Sequence, residues 1–304
     1  MIIPMTTEKK KIILDTDIGP DCDDCGALAV ICDAHKKGKV ELLGVTHCTS
    51  DLHSINVIAA INDWFGVNVP IGQTDRKGFF EDATKYTKPI SDEYTGSLKA
   101  SGKPLPTTEK PVPLLRRLLA ENSGVTFVLI GPLGNFAELL DSPPDDISPL
   151  DGAGLIKKSV DKVVIMGGDF LNTETPEFNI KCDIPAAKKT AAKCPVDIIW
   201  CGFEAGLNVI TGETLRECPE EYPVRRAYDL FTDGSFRRQS WDLVTALYSV
   251  EPDDEGWLLS DEHLVDFGDD GRVLISDGKG SRWVRHRDEK ALQKTLDDII
   301  AYHR

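Results

Sequence analysis

The 304-residue chain has no apolar run long enough to span a bilayer, which takes about 20 residues, and no apolar segment accompanies its Lys9-Lys10-Lys11 triplet. Basic residues are scarce beside acidic ones, 35 against 50, and the net charge of −15 opposes attraction to phosphate backbones and anionic membranes. Nucleic acid and membrane are therefore not expected as partners, and a soluble, cytoplasmic protein is. Cysteine pairing is also missing: Cys22-x-x-Cys25 has no second pair at ligand spacing, which argues against a zinc site. The eight cysteines, scattered over a chain too large to need staples, are expected to be free thiols. No internal repeat or linker interrupts the sequence, so residues 1–304 are expected to form one domain, and 41% hydrophobic content supplies a sizeable core.

What the chain does have is concentrated acid. Asp15, Asp17, Asp21, Asp23 and Asp24 fall within ten residues, between the β-branched run Lys11-Ile12-Ile13-Leu14 and an apolar stretch from Gly26 to Cys32 that starts a buried helix. The acids thus occupy a strand-to-helix turn, which in an open parallel sheet lies at the carboxyl edge where ligands bind. Turn-forming and helix capping account for one or two of them. Five like charges in one turn are most simply held together by a hard divalent cation bound through oxygen.

Taken in order, the periodicity predicts strands at 11–14, 40–46 and 69–72 with a helix at 54–65 between the last two. From Gln73 to Pro106 the periodicity stops, and a polar stretch carrying Phe79, Phe80, Tyr86 and Tyr94 reads as a lid or binding loop. A helix at 112–121, a strand at 125–130, the turn Gly131-Pro132-Leu133-Gly134-Asn135, a helix at 136–140 and a Pro-rich loop follow. Strands at 162–166 and 196–200 flank a helix at 185–192, and helices are expected at 223–232 and 241–248. Residues 264–267, 272–276 and 282–285 read as a small antiparallel meander, and a helix at 289–302 closes the chain. The expected fold is α/β: an open, mostly parallel Rossmann-like sheet flanked by helices, with that meander at its C-terminal end.

A second polar concentration follows the strand at 162–166: Asn172, Glu177, Asn179 and Asp183, whose amides and carboxylates suit a sugar's hydroxyls as well as they suit the loop's own backbone.

These motifs resemble those of the nucleoside hydrolases, the calcium-dependent N-ribohydrolases of the inosine-uridine-preferring type. Asp15-x-Asp17-x-Gly19 followed by Asp23-Asp24-x-x-Ala27-Leu28 is similar to the family's N-terminal signature, and Met166-Gly167-Gly168 through Asn172 to Glu177-Phe178-Asn179 and Asp183 to its ribose-binding segment. Gly131-Pro132-Leu133-Gly134-Asn135 resembles its Gly-Pro-Leu-Thr-Asn turn, and Ser240-Trp241-Asp242 stands where its last calcium-binding aspartate falls. The resemblance implies calcium held by Asp17, Asp24, Asp242 and the backbone carbonyl of Gly134, Asp17 as general base, Asp15 supporting the metal from behind, and Asp23, Asn172, Glu177 and Asn179 on the ribose. The reaction implied is hydrolysis of the N-glycosidic bond of a ribonucleoside or related riboside, through an oxocarbenium-like sugar. A homo-oligomer is the expected assembly.

Three departures from the family pattern stand out. Trp241 replaces the histidine that many members carry before the last metal aspartate, which tilts the expectation towards stacking of a purine base. Five residues separate Asp17 from Asp23 where the usual motif has three, so Asp21 is an extra acid. Cys48-Thr49-Ser50-Asp51 replaces a Val-Ala-Gly-Asn turn, substituting a carboxylate for a sugar-contacting amide or moving it away. Two alternatives are a phosphohydrolase of the haloacid-dehalogenase type, on Asp15-x-Asp17, which lacks a well-placed lysine, and a degenerate, non-catalytic ribose or nucleoside binder. An EF-hand fails because Cys32 stands where a bidentate glutamate is required.

Overall fold

The computed structural model describes residues 9–301. β1 (Lys10–Thr16), α1 (Asp23–Lys36), β2 (Val40–His47), α2 (His53–Phe65), β3 (Ile71–Gln73), α3 (Thr87–Ala100), α4 (Pro111–Glu121), β4 (Val125–Leu129), α5 (Gly134–Leu140), α6 (Gly152–Ser159) and β5 (Val160–Met166) make up the first part of the chain. Next come α7 (Phe178–Cys182), α8 (Ile184–Lys193), β6 (Ile198–Cys201), α9 (Phe203–Gly206), β7 (Ile210–Thr211), α10 (Pro223–Phe231), β8 (Arg238–Gln239) and α11 (Trp241–Val250). β9 (Trp257–Leu259), β10 (His263–Phe267), β11 (Val273–Asp277), β12 (Ser281–His286) and α12 (Glu289–Ile300) end it.

The main sheet runs β11-β10-β12-β6-β5-β4-β1-β2-β3, and every pairing from β12–β6 to β2–β3 is parallel. β1 is an interior strand, and its Ile12, Ile13 and Leu14 are fully buried because helices cover both faces. Ile12 and Leu14 pack with residues of α1, α2, α10, α11 and α12, whereas Ile13 packs on the opposite face with α4, α5, α6 and α8. The chain leaves β1 for β2 on one side and returns to β4 on the other, so a topological switch point opens at the carboxyl ends of β1 and β4. The acidic turn emerges there. α1 is buried from Asp23 to Ala34, as a helix apolar over most of its surface must be. Gly26 lets it lie close to α11, since a Cβ there would meet Leu243 Cδ1 at 2.8 Å.

The mostly parallel sheet with antiparallel strands at its C-terminal end matches the expected fold. Three details differ. The stretch from Gln73 to Pro106 is not all loop, because α3 occupies its second half; Pro89 and Gly96 broke the helical signal, and only Thr87, Ile90, Ser91 and Leu98 of α3 are buried. α6 lies where the sequence predicts only a Pro-rich loop, its start fixed by Asp151, whose carboxylate accepts from Gly154 N at 2.7 Å. The last strands do not form a separate meander: β10 lies between β11 and β12, and β12 joins the main sheet alongside β6. The last residue of the helix expected at 289–302, Tyr302, lies outside the described residues.

Candidate active site

Register brings the first site residue together with its neighbours. Asp15 pairs across to Thr46 on β2 and to Leu129 on β4. Its Oδ1 accepts from Thr46 Oγ1 and, at 2.7 Å, from Asn135 Nδ2 at the start of α5. Its Oδ2 is buried with no hydrogen-bond partner among the described residues. Burial pushes the Asp15 carboxyl up to about 7, against the lowering effect of those hydrogen bonds.

Asp17, Asp23, Asp24 and Asp242 converge at the floor of a cavity of about 260 Å³. Asp24 Oδ1 accepts from Thr16 Oγ1 at 2.5 Å and from Asp17 N at 3.3 Å. Asp23 Oδ2 accepts from Asp242 N at 3.0 Å, which ties the start of α1 to the start of α11. Carboxylate oxygens of Asp23, Asp24 and Asp242 lie within 4.8 Å of one another, a group able to hold a metal ion. Burial, and then repulsion from the neighbouring acids, pushes all four carboxyls well above their ordinary range. An all-oxygen donor set of like charges, with the orphaned Asp15 oxygen close by in the chain, fits a hard divalent cation.

Asp17 fits only because residue 131 is glycine, where a Cβ would lie 2.8 Å from Asp17 Oδ1. Tyr86 pins the turn from the far side of the first loop: its hydroxyl accepts from Gly19 N at 2.8 Å and donates to the Asp21 carbonyl at 2.6 Å.

Glu177 and Asn179 line the cavity. Glu177 also caps α7, accepting from Asn179 N at 2.9 Å, Ile180 N at 3.2 Å and Gly168 N at 3.2 Å, and burial pushes it up to about 7. Asn179 Nδ2 donates to the Ile130 carbonyl at 3.2 Å. Trp241 lines the cavity as well, stacked on Phe203 with ring centroids 5.3 Å apart, and its Nε1 donates to the Phe203 carbonyl at 2.8 Å. Phe178, Phe203 and Trp241 give the cavity an aromatic wall facing the acids.

Other residues singled out from sequence stand apart. Asn172 is exposed and donates to Thr175 Oγ1 at 2.9 Å, and Gly134 faces the Arg76–Asp183 ion pair; neither lines the cavity. Asp183 accepts from Arg76 at 2.5 Å and caps α8 through Ala186 N at 3.2 Å. Asp51 is turned away from the cavity and organises the start of α2 and α3, accepting from His53 N at 2.9 Å, Ser54 Oγ at 2.8 Å and Thr87 Oγ1 at 2.6 Å. Of the loop aromatics, Phe80 meets Phe178 at 5.7 Å and so touches the cavity wall. All eight cysteines are free.

Sequence reasoning missed Phe203 and Arg238. Phe203 follows β6 on the carboxyl edge, where the turns after parallel strands were expected to gather, so a signal existed. Arg238 carried none, because its place depends on the packing of β8 against β7.

The sequence-family model of the inosine-uridine preferring nucleoside hydrolases matches residues 12–280. The pyrimidine-specific ribonucleoside hydrolase RihB of Escherichia coli (strain SE11) is 25% identical over 214 residues, 65% of this chain and 60% of RihB. The chain thus matches less than two thirds of that relative's length. An inosine-uridine preferring nucleoside hydrolase from Bacillus anthracis shares the fold with a TM-score of 0.73 at 18% identity, over 96% of this chain and 99% of its own. An inosine-guanosine nucleoside hydrolase does so with a TM-score of 0.68 at 18% identity, over 98% and 100%.

Proposed function

We propose, from the premise that this chain belongs to the inosine-uridine preferring nucleoside hydrolase family, that it hydrolyses the N-glycosidic bond of a ribonucleoside or related riboside, purines ahead of pyrimidines. The observation that carries this reading is the cluster of buried acid oxygens from Asp23, Asp24 and Asp242 beneath an aromatic wall in one cavity.

Asp17, Asp24 and Asp242 would hold a calcium ion, joined by the backbone carbonyl of Gly134 only if the start of α5 turns towards the cavity, and the bound ion would supply positive charge that makes a water molecule easier to deprotonate. Asp17 takes that proton as general base. Asp15, bonded to Thr46 and Asn135, positions the turn from behind. Asp23 grips ribose hydroxyls, and Glu177 and Asn179 hold the rest of the sugar. Asn172, exposed and bonded to Thr175, joins them only if its loop folds inward. The carboxylates stabilise the positive charge that develops on the sugar as the bond breaks.

The Trp241–Phe203 stack supports purines, whose larger ring system covers more aromatic surface. RihB is named for pyrimidines and the second structural relative for inosine and guanosine, so relatives of this chain carry both preferences in their names. Among the described residues no lysine lines the cavity, which leaves the phosphohydrolase alternative without the lysine it needs. The eight free thiols suit a reducing, cytoplasmic compartment. Exposed Leu258, Leu259, Leu264 and Leu274 on the outer strands support association of 1–304 domains into a homo-oligomer.

The test is release of free ribose from a panel of purine and pyrimidine nucleosides, with calcium and with chelator, for the native chain and Asp17→Ala. Calcium-dependent release that the substitution abolishes is the expected result. Calcium binding without release from any nucleoside would leave only a sugar-binding role.

A further inference from the structure

Among the described residues that line the cavity, Arg238 is the one base. Its guanidinium lies 5.1 Å from the Trp241 ring centroid, on the aromatic side of the cavity, and 5.5 Å from that of Phe231. Asp21, the extra acid of the first turn, holds it there: Nε donates to Asp21 Oδ1 at 2.9 Å and Nη2 donates to Asp21 Oδ2. Nη1 makes a longer bond to Gln239 Oε1, at 3.3 Å. Each terminal nitrogen carries a second N–H that no described residue accepts. A rigid fork with two unused donors therefore sits beside the ring on which a base would stack.

We propose that Arg238 is the residue that recognises the departing base and that it selects 6-oxopurines, hypoxanthine and guanine; this rests on the hydrolase reading above. The edge of a 6-oxopurine offers two acceptors, N7 and O6, at the spacing that a guanidinium fork matches. Adenine presents an amino group in place of O6, which sets donor against donor.

The same contact serves the chemistry. Among the described residues no histidine lines the cavity to protonate the base, and a guanidinium does not give up its proton. As the C1′–N9 bond breaks, its electron pair goes to N9 and spreads through the ring to N7 and O6, where the two N–H groups of Arg238 donate. The water oxygen bonds C1′, its proton passes to Asp17, and the released base takes a proton from solvent.

The test compares inosine, adenosine and p-nitrophenyl riboside as substrates for the native chain, Arg238→Gln and Arg238→Lys. Nitrophenolate leaves without help, so it reports the sugar-side machinery alone. The native chain should favour inosine over adenosine in kcat/KM. Both variants should lose about 10- to 100-fold on inosine, because glutamine lacks the charge and lysine the fork, while keeping p-nitrophenyl riboside turnover. An unchanged inosine-to-adenosine ratio in the variants would overturn the assignment and leave the hydrolase reading standing. Equal loss on all three substrates would overturn it too, making Arg238 a structural residue. If the native chain cleaves no riboside, equilibrium binding of free hypoxanthine and adenine decides. Hypoxanthine bound more tightly by the native chain than by either variant supports the assignment though the hydrolase reading has failed, and equal binding overturns both.

Discussion

The backbone N–H of Asp242 donates to Asp23 Oδ2 at 3.0 Å across 219 residues of sequence, so the two halves of the acidic floor are assembled only when α11 docks on α1. Both carboxyls are pushed up by burial and then by neighbouring acids, Asp23 by Asp21 and Asp24, and Asp242 by Asp23, Asp24 and Asp17. Asp242→Asn keeps the backbone bond and the volume while removing one charge. Calcium affinity, measured by titration calorimetry, should fall by at least the 10–100-fold typical of losing even an outer partner of a metal site, so about 10-fold or more. Without metal the variant should melt at a higher temperature than the native chain, because repulsion is relieved. A lower melting temperature in chelator would refute the charge argument.

Gly131 is where the turn after β4 approaches Asp17 most closely. A Cβ at that position would lie 2.8 Å from Asp17 Oδ1 and 2.9 Å from its Cβ. Gly131→Ala therefore displaces the general base with no change to its chemistry. A shift of about 1 Å at a catalytic group costs on the order of 100-fold in rate. The expected outcome is a kcat lower by that order with a far-ultraviolet circular dichroism spectrum like the native one, and full activity would contradict the packing.

How far the sequence alone reaches is visible in these two sites. Asp15, Asp17, Asp23 and Asp24 were legible because five acids on one strand-to-helix turn leave few other uses, and the β-α-β pattern places that turn on the carboxyl edge. Asp242 was recognisable only through resemblance, since a lone Trp-Asp at a helix start has no local signature. Asp51 kept two readings open because the same carboxylate can face a sugar or cap a helix, and the docking of α3 through Thr87 decides for the one turned away from the sugar. α3 was lost in a polar stretch because most of its surface faces solvent. Arg238 was invisible because an ion pair between residues 217 apart leaves no trace in either segment.

Arg116 supplies a test away from the site. Its side chain is buried, with Nε and Nη2 donating to Asp145 at 2.7 and 2.8 Å, Nη1 to Ser142 Oγ at 2.9 Å and Nη2 also to the Leu150 carbonyl at 2.9 Å. The Arg116 guanidinium holds the Asp145 carboxyl down to about 2 from its ordinary 3.8. A depressed folded value means that the stabilisation is fully present above 3.8 and is lost as the pH falls towards 2. Asp145→Asn should therefore melt below the native chain at neutral pH, with the gap closing over that acid window. Melting curves that stay a constant distance apart down to pH 2 would contradict the pairing.

Trp241 joins three contacts in one side chain: the stack on Phe203, the Nε1 bond to the Phe203 carbonyl, and the Arg238 guanidinium over its ring. If its ring is the platform for the base, then the area of the base should set the size of the effect. Stacking on an aromatic side chain contributes about 1–3 kcal/mol per base, so Trp241→Ala should cost on the order of 10- to 100-fold in kcat/KM for purine nucleosides and less for pyrimidines. Trp241→Phe keeps a stacking face while losing the bond to Phe203, and should stay within a few-fold of the native chain. Steady-state kinetics on inosine and uridine with the three proteins separate the possibilities. A loss of equal size on both nucleosides would mean that Trp241 only packs the start of α11, and the purine preference would then need another source in the cavity.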